Sequence, residues 1–574
     1  MSLMMSSCAS IESTDSLLKE SVTPTQAMVV TANPHATKAG ADILRAGGSA
    51  IDAAIAIESV LSLVEPQSSG LGGGGFMVYF DNQTKQVSVY DGREIAPASA
   101  TSDMFLDSEN KPMSFISAKT SGISTGVPGM VSLLHLAHSD HGQLAWHENF
   151  ESAKRLANDG FEISPRLHSF IERFAKFIPN SPEEGPVDAY QYFYDEQGQA
   201  YPIGHLLKNP SYRQSLDLIA GDLRAFYEGE IANLIIEQTN KLPRASAMTK
   251  ADIANYSARR NEPICTPYRE LVLCGPPPPS SWLAIGMIMG LIDRTPDFTK
   301  GGEKDAQNWI KFAETQRLAY ADRDQYVADT DFVDVPIVGL LNPSYLNERA
   351  SKISTETAIE KISFGDPWAY QQGIGAVMGK DETYDAAGTT HFVVVDLNGN
   401  VVSLTASVES VFGSTRMAGG MFLNNQLTDF SFKSHDAQGN KIVNSVEPGK
   451  RPRSSMSPTI VLDNNGEFLM ATGSPGGNSI IAYTAKTLVG VLDWGLQPQE
   501  AVDLANMIAR GDKIKIEKLR ASDQLIKSLR GFGYQVDESG GENSGLSVVY
   551  KNSQGDLVGG VDSRREGVIE LVLP

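Results

Sequence analysis

The chain has 574 residues, of which 41 % are apolar and 20 % charged, ordinary globular usage that excludes a disordered or fibrous protein. Lys plus Arg number 48 against 69 Asp plus Glu, and the resulting charge of −21 excludes a chain-wide basic footprint for nucleic acid or anionic lipid. Three Cys and nine His are too few and too scattered for a disulfide framework or a Cys-rich zinc module, and no apolar run is long enough to span a membrane.

Residues 1–27 are polar and read as a disordered tail or a signal remnant. Their apolar stretch is too short for an intact signal peptide, so the chain is either cytoplasmic or has lost an export signal. Cys8 reads better as an incidental thiol than as the end of a lipoprotein signal. Order is expected to begin near Ala27. Ser49 followed by Asp52 is a capping-box pair that starts a helix, and residues 50–64 are apolar nearly all round, so that helix is buried. SSGLGGGG (68–75) leads into a hairpin that ends at Asp91-Gly92-Arg93-Glu94. Residues 129–380 are mostly helical in pattern, and Pro276 to Pro279 read as a stiff extended connector. Cys265 and Cys274 flank a predicted hairpin; two separate thiols are expected, a bridge being the alternative. Beyond residue 385 come paired strands with Asn/Gly turns, Asn398-Gly399 being the strongest hairpin signal. The pattern fits one layered α/β unit, sheets inside and helices outside.

Several motifs have a bland reading that wins. Gly70 to Gly75 satisfies GxGxxG but follows a helix and opens a strand, the reverse of a dinucleotide site, so it reads as close backbone packing. Ser124 sits in a GxSxG stretch, yet Pro128 spoils a nucleophile elbow, and a loop serine is expected. His135, His138, His141 and His147 imitate a metal cluster without a completing ligand and read as solvated. The most informative stretch is DAAGTTHFVVVD (385–396). Thr is a poor nucleophile without an adjacent base, and an α-amino group freed on the same residue is one solution. It titrates at about 7.7–8.0 when unperturbed. That chemistry requires a cut before Thr389, and Gly388 offers an unhindered carbonyl.

GTTHFVVVDLNGNVVSLTASVESVFGS, FLNNQLTDFS (422–431), GKRPRSSMSPTIVL (449–462) and GSPGG (473–477) resemble the γ-glutamyltransferase (glutathione hydrolase) family of the N-terminal-nucleophile superfamily. AGADILRAGGSAIDAAIAIESVL, GLGGGGFMVYF, DGREIAPASATSDMFL, PYRELVLCGPPPPSS and AETQRLAYADRDQYV agree, and the likeness runs in family order over residues 28–570. It implies a four-layer αββα sandwich, self-cleaved into a large chain of residues 28–388 and a small chain of 389–574 that stay interlocked as a heterodimer. It also implies Thr389 as nucleophile, a cleavage site at Gly388–Thr389, and an oxyanion hole on the N–H groups of Gly476 and Gly477. By the same resemblance Arg93, helped by Ser454 and Ser455, holds a donor α-carboxylate, while Glu409, Gln426 and Asp429 hold the α-ammonium. Neither cofactor nor metal is implied. The expected partners are glutathione-like donors and water, amino-acid or peptide acceptors, and the family's habit is periplasmic or secreted.

The chain departs from the family pattern in places. Ser407 stands where many members have the Thr that supports the nucleophile, and Glu409 is one of two residue types used there. Ser281-Trp282-Leu283 replaces a usual Ser-Gly-Gly. The presumed lid, 430–449, has no Tyr to cover the site, which implies a more open pocket. Three rivals remain at this level: a glutaryl or cephalosporin acylase or poly-γ-glutamate depolymerase, an unprocessed protein that binds γ-glutamyl compounds, and, distantly, a hydrolase built on Ser124.

Overall fold

The structure is a computed structural model and describes residues 26–573 except 355, 374, 377, 380, 382, 384–387 and 540–543. Residues 1–25 of the N-terminal tail, with Cys8, and residues 385–387 of the DAAG stretch fall outside the described residues, whereas Ala27, read as the end of the tail, is already a buried strand residue. Chain order begins with a strand at Ala27–Thr31. Period-two alternation splits it between two cores: Ala27 and Val29 point to one apolar cluster, Met28 and Val30 to another.

That alternation recurs across a seven-stranded antiparallel sheet. Its order is Val568–Val572, Ala27–Thr31, Gly388–Val395, Val401–Glu409, Gly74–Asp81, Gln86–Asp91 and Arg259–Asn261. A six-stranded antiparallel sheet runs Leu557–Val561, Ser547–Lys551, Phe468–Gly473, Thr459–Leu462, Leu271–Gly275 and Ile264–Tyr268. The two sheets face each other through Val30, Val78, Phe80, Val393, Val395, Ile460, Ala471 and Val549. Helix Ala50–Val64 is buried along its whole length and covers the outer face of the first sheet. Helices Trp282–Asp293, Ala306–Tyr326 and Ile480–Leu492 cover the second. The expected αββα sandwich is thus present, and each fully buried Val, Leu or Ile side chain adds about 1.5–3 kcal/mol.

Local signals act as expected where backbone geometry decides. Ser49 and Asp52 form the capping box of the buried helix. Asp52 also accepts from the N–H groups of Gln143 and Leu144, and so ties a second loop to that helix end. The glycine turn after the helix is backbone packed on backbone. A Cβ at Gly72 or Gly73 would lie 2.2 or 2.1 Å from the carbonyl oxygens of Phe422 and Ser407. Ser124 is a buried residue in a short 3-10 turn, and its hydroxyl donates to the carbonyls of Lys119 and Ser121.

Three readings need correction. Cys265 and Cys274 are joined as a disulfide, because they occupy directly opposed positions on adjacent antiparallel strands. Pro276 to Pro279 do not run extended: the chain turns at Pro278-Pro279, and Ser280 then bridges to Ser454. The histidines are not all solvated. His138 lies 3.3 Å from Asp52, His141 stacks on Tyr79 and His135 packs against Trp146, leaving only His147 exposed. Trp282, which departs from the family pattern, is buried as the first residue of its helix, with its indole over Gly275 and its N–H donated to the Thr459 hydroxyl at 3.0 Å. Among the described residues no helix is long and apolar enough to cross a membrane.

Candidate active site

The site grows from the hairpin of strands Gly388–Val395 and Val401–Glu409. Gly399 turns it with φ 79°, and the Asp396 carboxylate accepts from the N–H groups of Asn398 and Asn400. The register then sets Thr389 opposite Ser407. One residue further the ladder slips, so that Gly388 faces Glu409, whose own φ is 79°. Such a bulge re-aims the side chains beside it. No side chain fits at Gly388, where a Cβ would stand 2.6 Å from the Glu409 carbonyl oxygen.

Ser407 is the hub of this corner. Its hydroxyl donates to the Gly388 carbonyl at 2.8 Å, accepts from the Glu409 N–H at 2.8 Å, and lies 3.2 Å from the Thr389 hydroxyl. With its one proton committed to Gly388, Ser407 can only accept from Thr389. The bond before Thr389 thus has its carbonyl held by the same hydroxyl that draws on the Thr389 proton. On the other side of Thr389, the Arg565 guanidinium donates to its carbonyl at 2.9 Å. Burial lowers Arg565 to about 9, so it stays protonated at neutral pH.

Glu409, Gln426, Asp429, Ser454, Ser455 and Gly477 share a cleft with Thr389 and Ser407 that leaves only about 20 Å³ free. Asp429 and Gln426 sit on the 3-10 turn Gln426–Asp429, where the Gln426 amide donates to the Asp429 carboxylate at 2.8 Å. Arg93 is fully buried and donates from Nη2 to Asp429 at 2.6 Å and to the Arg453 carbonyl at 2.8 Å, while its Nε reaches the Pro452 carbonyl. It stands behind Asp429 and does not itself line the cleft. Ser454 is pinned by backbone bonds to Pro279 and Ser281, and the Ser455 hydroxyl accepts from Arg323 at 2.8 Å. Gly476 and Gly477 have φ of 136° and 57° and lead through a short turn into helix Ile480–Leu492. An L side chain is strained at either φ, and at Gly476 it would also meet the Tyr483 ring at 2.8 Å.

The cleft over the nucleophile is narrow. Segment 430–449 is tied down, with Asn444 donating to the Asp429 carbonyl at 2.7 Å and Gly449 to the Ala96 carbonyl. A roomier cavity, about 470 Å³, lies beside that segment against Met113, Phe115, Phe430 and Phe432, and Thr389 does not border it.

Three buried groups nearby are shifted by their surroundings. Burial outweighs the neighbouring Arg93 and raises Glu94 to about 8; burial lowers Lys119 to about 8 and His391 to about 3. His391, two residues after Thr389, is therefore neutral, and its Nδ1 pairs with the Thr405 hydroxyl. Sequence reasoning did not assign Arg323, Asn425, Asn444, Arg453 or Arg565. Asn425 bonds the Glu409 carboxylate, and Arg453 pairs with Asp381 at 2.7 Å. All but Asn444 and Arg565 lie inside motifs that the resemblance quotes, so the signal was present without the role.

The gamma-glutamyltranspeptidase family model matches residues 36–572. The chain is 34 % identical over 551 residues to the glutathione hydrolase proenzyme of Bacillus subtilis strain 168, covering 94 % of this chain and 90 % of that protein. It is also 34 % identical over 551 residues to the glutathione hydrolase proenzyme of Escherichia coli K12, with the same coverage. In fold it is similar to the cephalosporin acylase of Bacillus halodurans, with a TM-score of 0.81, 24 % identity, and 98 % and 99 % of the two chains covered. The chain belongs to the gamma-glutamyltranspeptidase family.

Proposed function

We propose that the protein is a self-cleaving γ-glutamyltransferase and glutathione hydrolase with Thr389 as its nucleophile. The observation that carries this reading is the Ser407 hydroxyl, shared between the Thr389 hydroxyl and the Gly388 carbonyl. In the first reaction Thr389 Oγ1 attacks the Gly388 carbonyl carbon, the C–N bond breaks, and the acyl group passes to oxygen. Water then cleaves the ester, leaving a Gly388 carboxylate and a free Thr389 amine. Chains 28–388 and 389–574 would remain together, because the hairpin strand Gly388–Val395 is a central strand of the first sheet.

In turnover the freed amine takes the Thr389 proton while Oγ1 attacks the donor's γ-carbonyl. The N–H groups of Gly476 and Gly477 would receive the oxyanion, each worth roughly 10²–10³ in rate. Water or an amine then takes the γ-glutamyl group from the acyl-enzyme. The Arg93–Asp429 pair supports a zwitterionic γ-glutamyl donor. A zwitterion can enter by exchange, its carboxylate going to Arg93 with Ser454 and Ser455, its ammonium to Asp429 with Gln426 and Glu409, so neither buried charge is left unpaired. A glutaryl group has no ammonium and would compete with Asp429 for one guanidinium. An oxidising, extracytoplasmic location is supported by the Cys265–Cys274 bridge.

The test is turnover of glutathione and of a γ-glutamyl anilide, with and without an added amino acid, beside a glutaryl amide. Release of glutamate, formation of a γ-glutamyl amino acid and slower glutaryl turnover are expected. Preferred glutaryl turnover would make the protein an acylase, and glutathione binding by an intact, inactive chain would make it a binding protein.

A further inference from the structure

Three buried charged groups, Arg565, Glu65 and Asp562, and the half-buried Arg166 converge behind the nucleophile from distant parts of the chain. Arg565, near the C-terminus, donates Nη1 to the Thr389 carbonyl at 2.9 Å and Nε to the Ser544 carbonyl at 3.1 Å. Its Nη1 is 3.7 Å from Glu65, the residue that ends the buried helix, and Arg166 approaches the other Glu65 oxygen at 3.1 Å. The Ser544 hydroxyl donates in turn to Asp562. There is little slack: a Cβ at Gly545 would stand 2.6 Å from Arg565 Cδ. Nothing in the donor cleft explains this arrangement, since neither Arg565 nor Glu65 borders it.

We propose that Arg565 is a positioning residue that aims Thr389 and, with Glu65 as its counter-charge, sets the pH at which the freed Thr389 amine works as a base; this rests on the reading of Thr389 given above. The carbonyl oxygen and amine nitrogen of one residue are about 3 Å apart by backbone geometry, so the guanidinium lies within roughly 6 Å of the amine. A cation at that range favours the neutral amine, the form the reaction needs. Glu65 sits behind the guanidinium and offsets part of its field. The other charged groups facing the amine are the carboxylates of Glu409, from the paired strand, and Asp429, from the turn, with Arg93 behind the latter. Both carboxylates favour the protonated amine, so Arg565 is the group that opposes them. His391 on the same strand is neutral and adds no charge.

The experiment compares wild type with Arg565→Met, Arg565→Lys and Glu65→Gln, reading self-cleavage by mass and kcat and KM for a γ-glutamyl anilide from pH 5.5 to 10. Wild type must cleave and turn over; if it does neither, the Thr389 reading fails rather than this one. For Arg565→Met the expected result is slower cleavage, a kcat about 10–100-fold lower with KM within about twofold, and an acid-limb pKa raised by about one unit. Arg565→Lys should restore most of the pKa but not all of kcat. Glu65→Gln, with the opposing charge gone, should move the same pKa down. Because a purely structural role cannot shift the limb in opposite directions, unchanged pKa values in cleaved, folded variants overturn the proposal. If Arg565→Met does not fold, Glu65→Gln and Arg565→Lys decide the matter by the same reading.

Discussion

Thr389 is placed by backbone: a Gly-turned hairpin sets the register, a bulge turns the strand end, and a facing hydroxyl completes the corner. Asp429 is placed by side chains: Arg93 comes from a point 336 residues earlier, and Gln426 and Asn444 hold it from either side. Cooperative ladders and tight turns fix most of the first region locally, with Arg565 as its one distant support, whereas the second depends throughout on buried charges brought from afar. The nucleophile's corner should therefore tolerate conservative change, and the donor recogniser should not.

The largest expected effect is at the point where the two regions meet. Thr389→Ala should abolish both self-cleavage and turnover, a loss of more than about 10³-fold in kcat, checked by mass and by anilide hydrolysis. In the side-chain region, Arg93→Met would remove the guanidinium that pairs with the buried Asp429 carboxylate at 2.6 Å, at a cost of about 3–5 kcal/mol read as a lowered urea midpoint. Adding Asp429→Asn should restore the midpoint but leave kcat/KM for glutathione depressed. In the backbone region, Ser407→Ala should slow cleavage about 10²-fold, while Ser407→Thr should cleave at close to the wild-type rate. A Ser407→Thr variant as damaged as Ser407→Ala would erase the contrast between the two regions.

The smallest effect is remote from the chemistry. Burial would raise Asp52, but hydrogen bonds from His138 and the N–H groups of Gln143, Ser49 and Leu144 outweigh it, and the carboxyl falls from 3.8 to about 2. A carboxyl depressed in the folded state stabilises above its unfolded value and loses that contribution as pH falls toward 2. Asp52→Asn should thus lower the urea midpoint at pH 6 by the equivalent of about 2 kcal/mol and flatten its decline between pH 4 and pH 2.

What could be read in the sequence follows the same division. The Asn398-Gly399 hairpin, the capping box at Ser49 and the glycine turn are local events whose cause lies within a few residues. Thr389 and its partners were legible because their motifs are contiguous. Arg565 was not: nothing in the string shows that a C-terminal arginine reaches a carbonyl 176 residues earlier. Cys265 and Cys274 could be set in a hairpin, but bonding depends on their facing one another across it, which a one-residue change of register would undo. The histidine run misled because its spacing describes the helix face and not the aromatic rings that other segments lay upon it.

The most direct test is the intact mass and N-terminal residue of purified wild type and Thr389→Ala after incubation near neutral pH. If residue 1 begins the chain, the account predicts wild-type fragments of 388 and 186 residues, the shorter beginning with Thr389, and an uncut variant. A folded wild type that stays whole, or one that is cut at another bond, would contradict it.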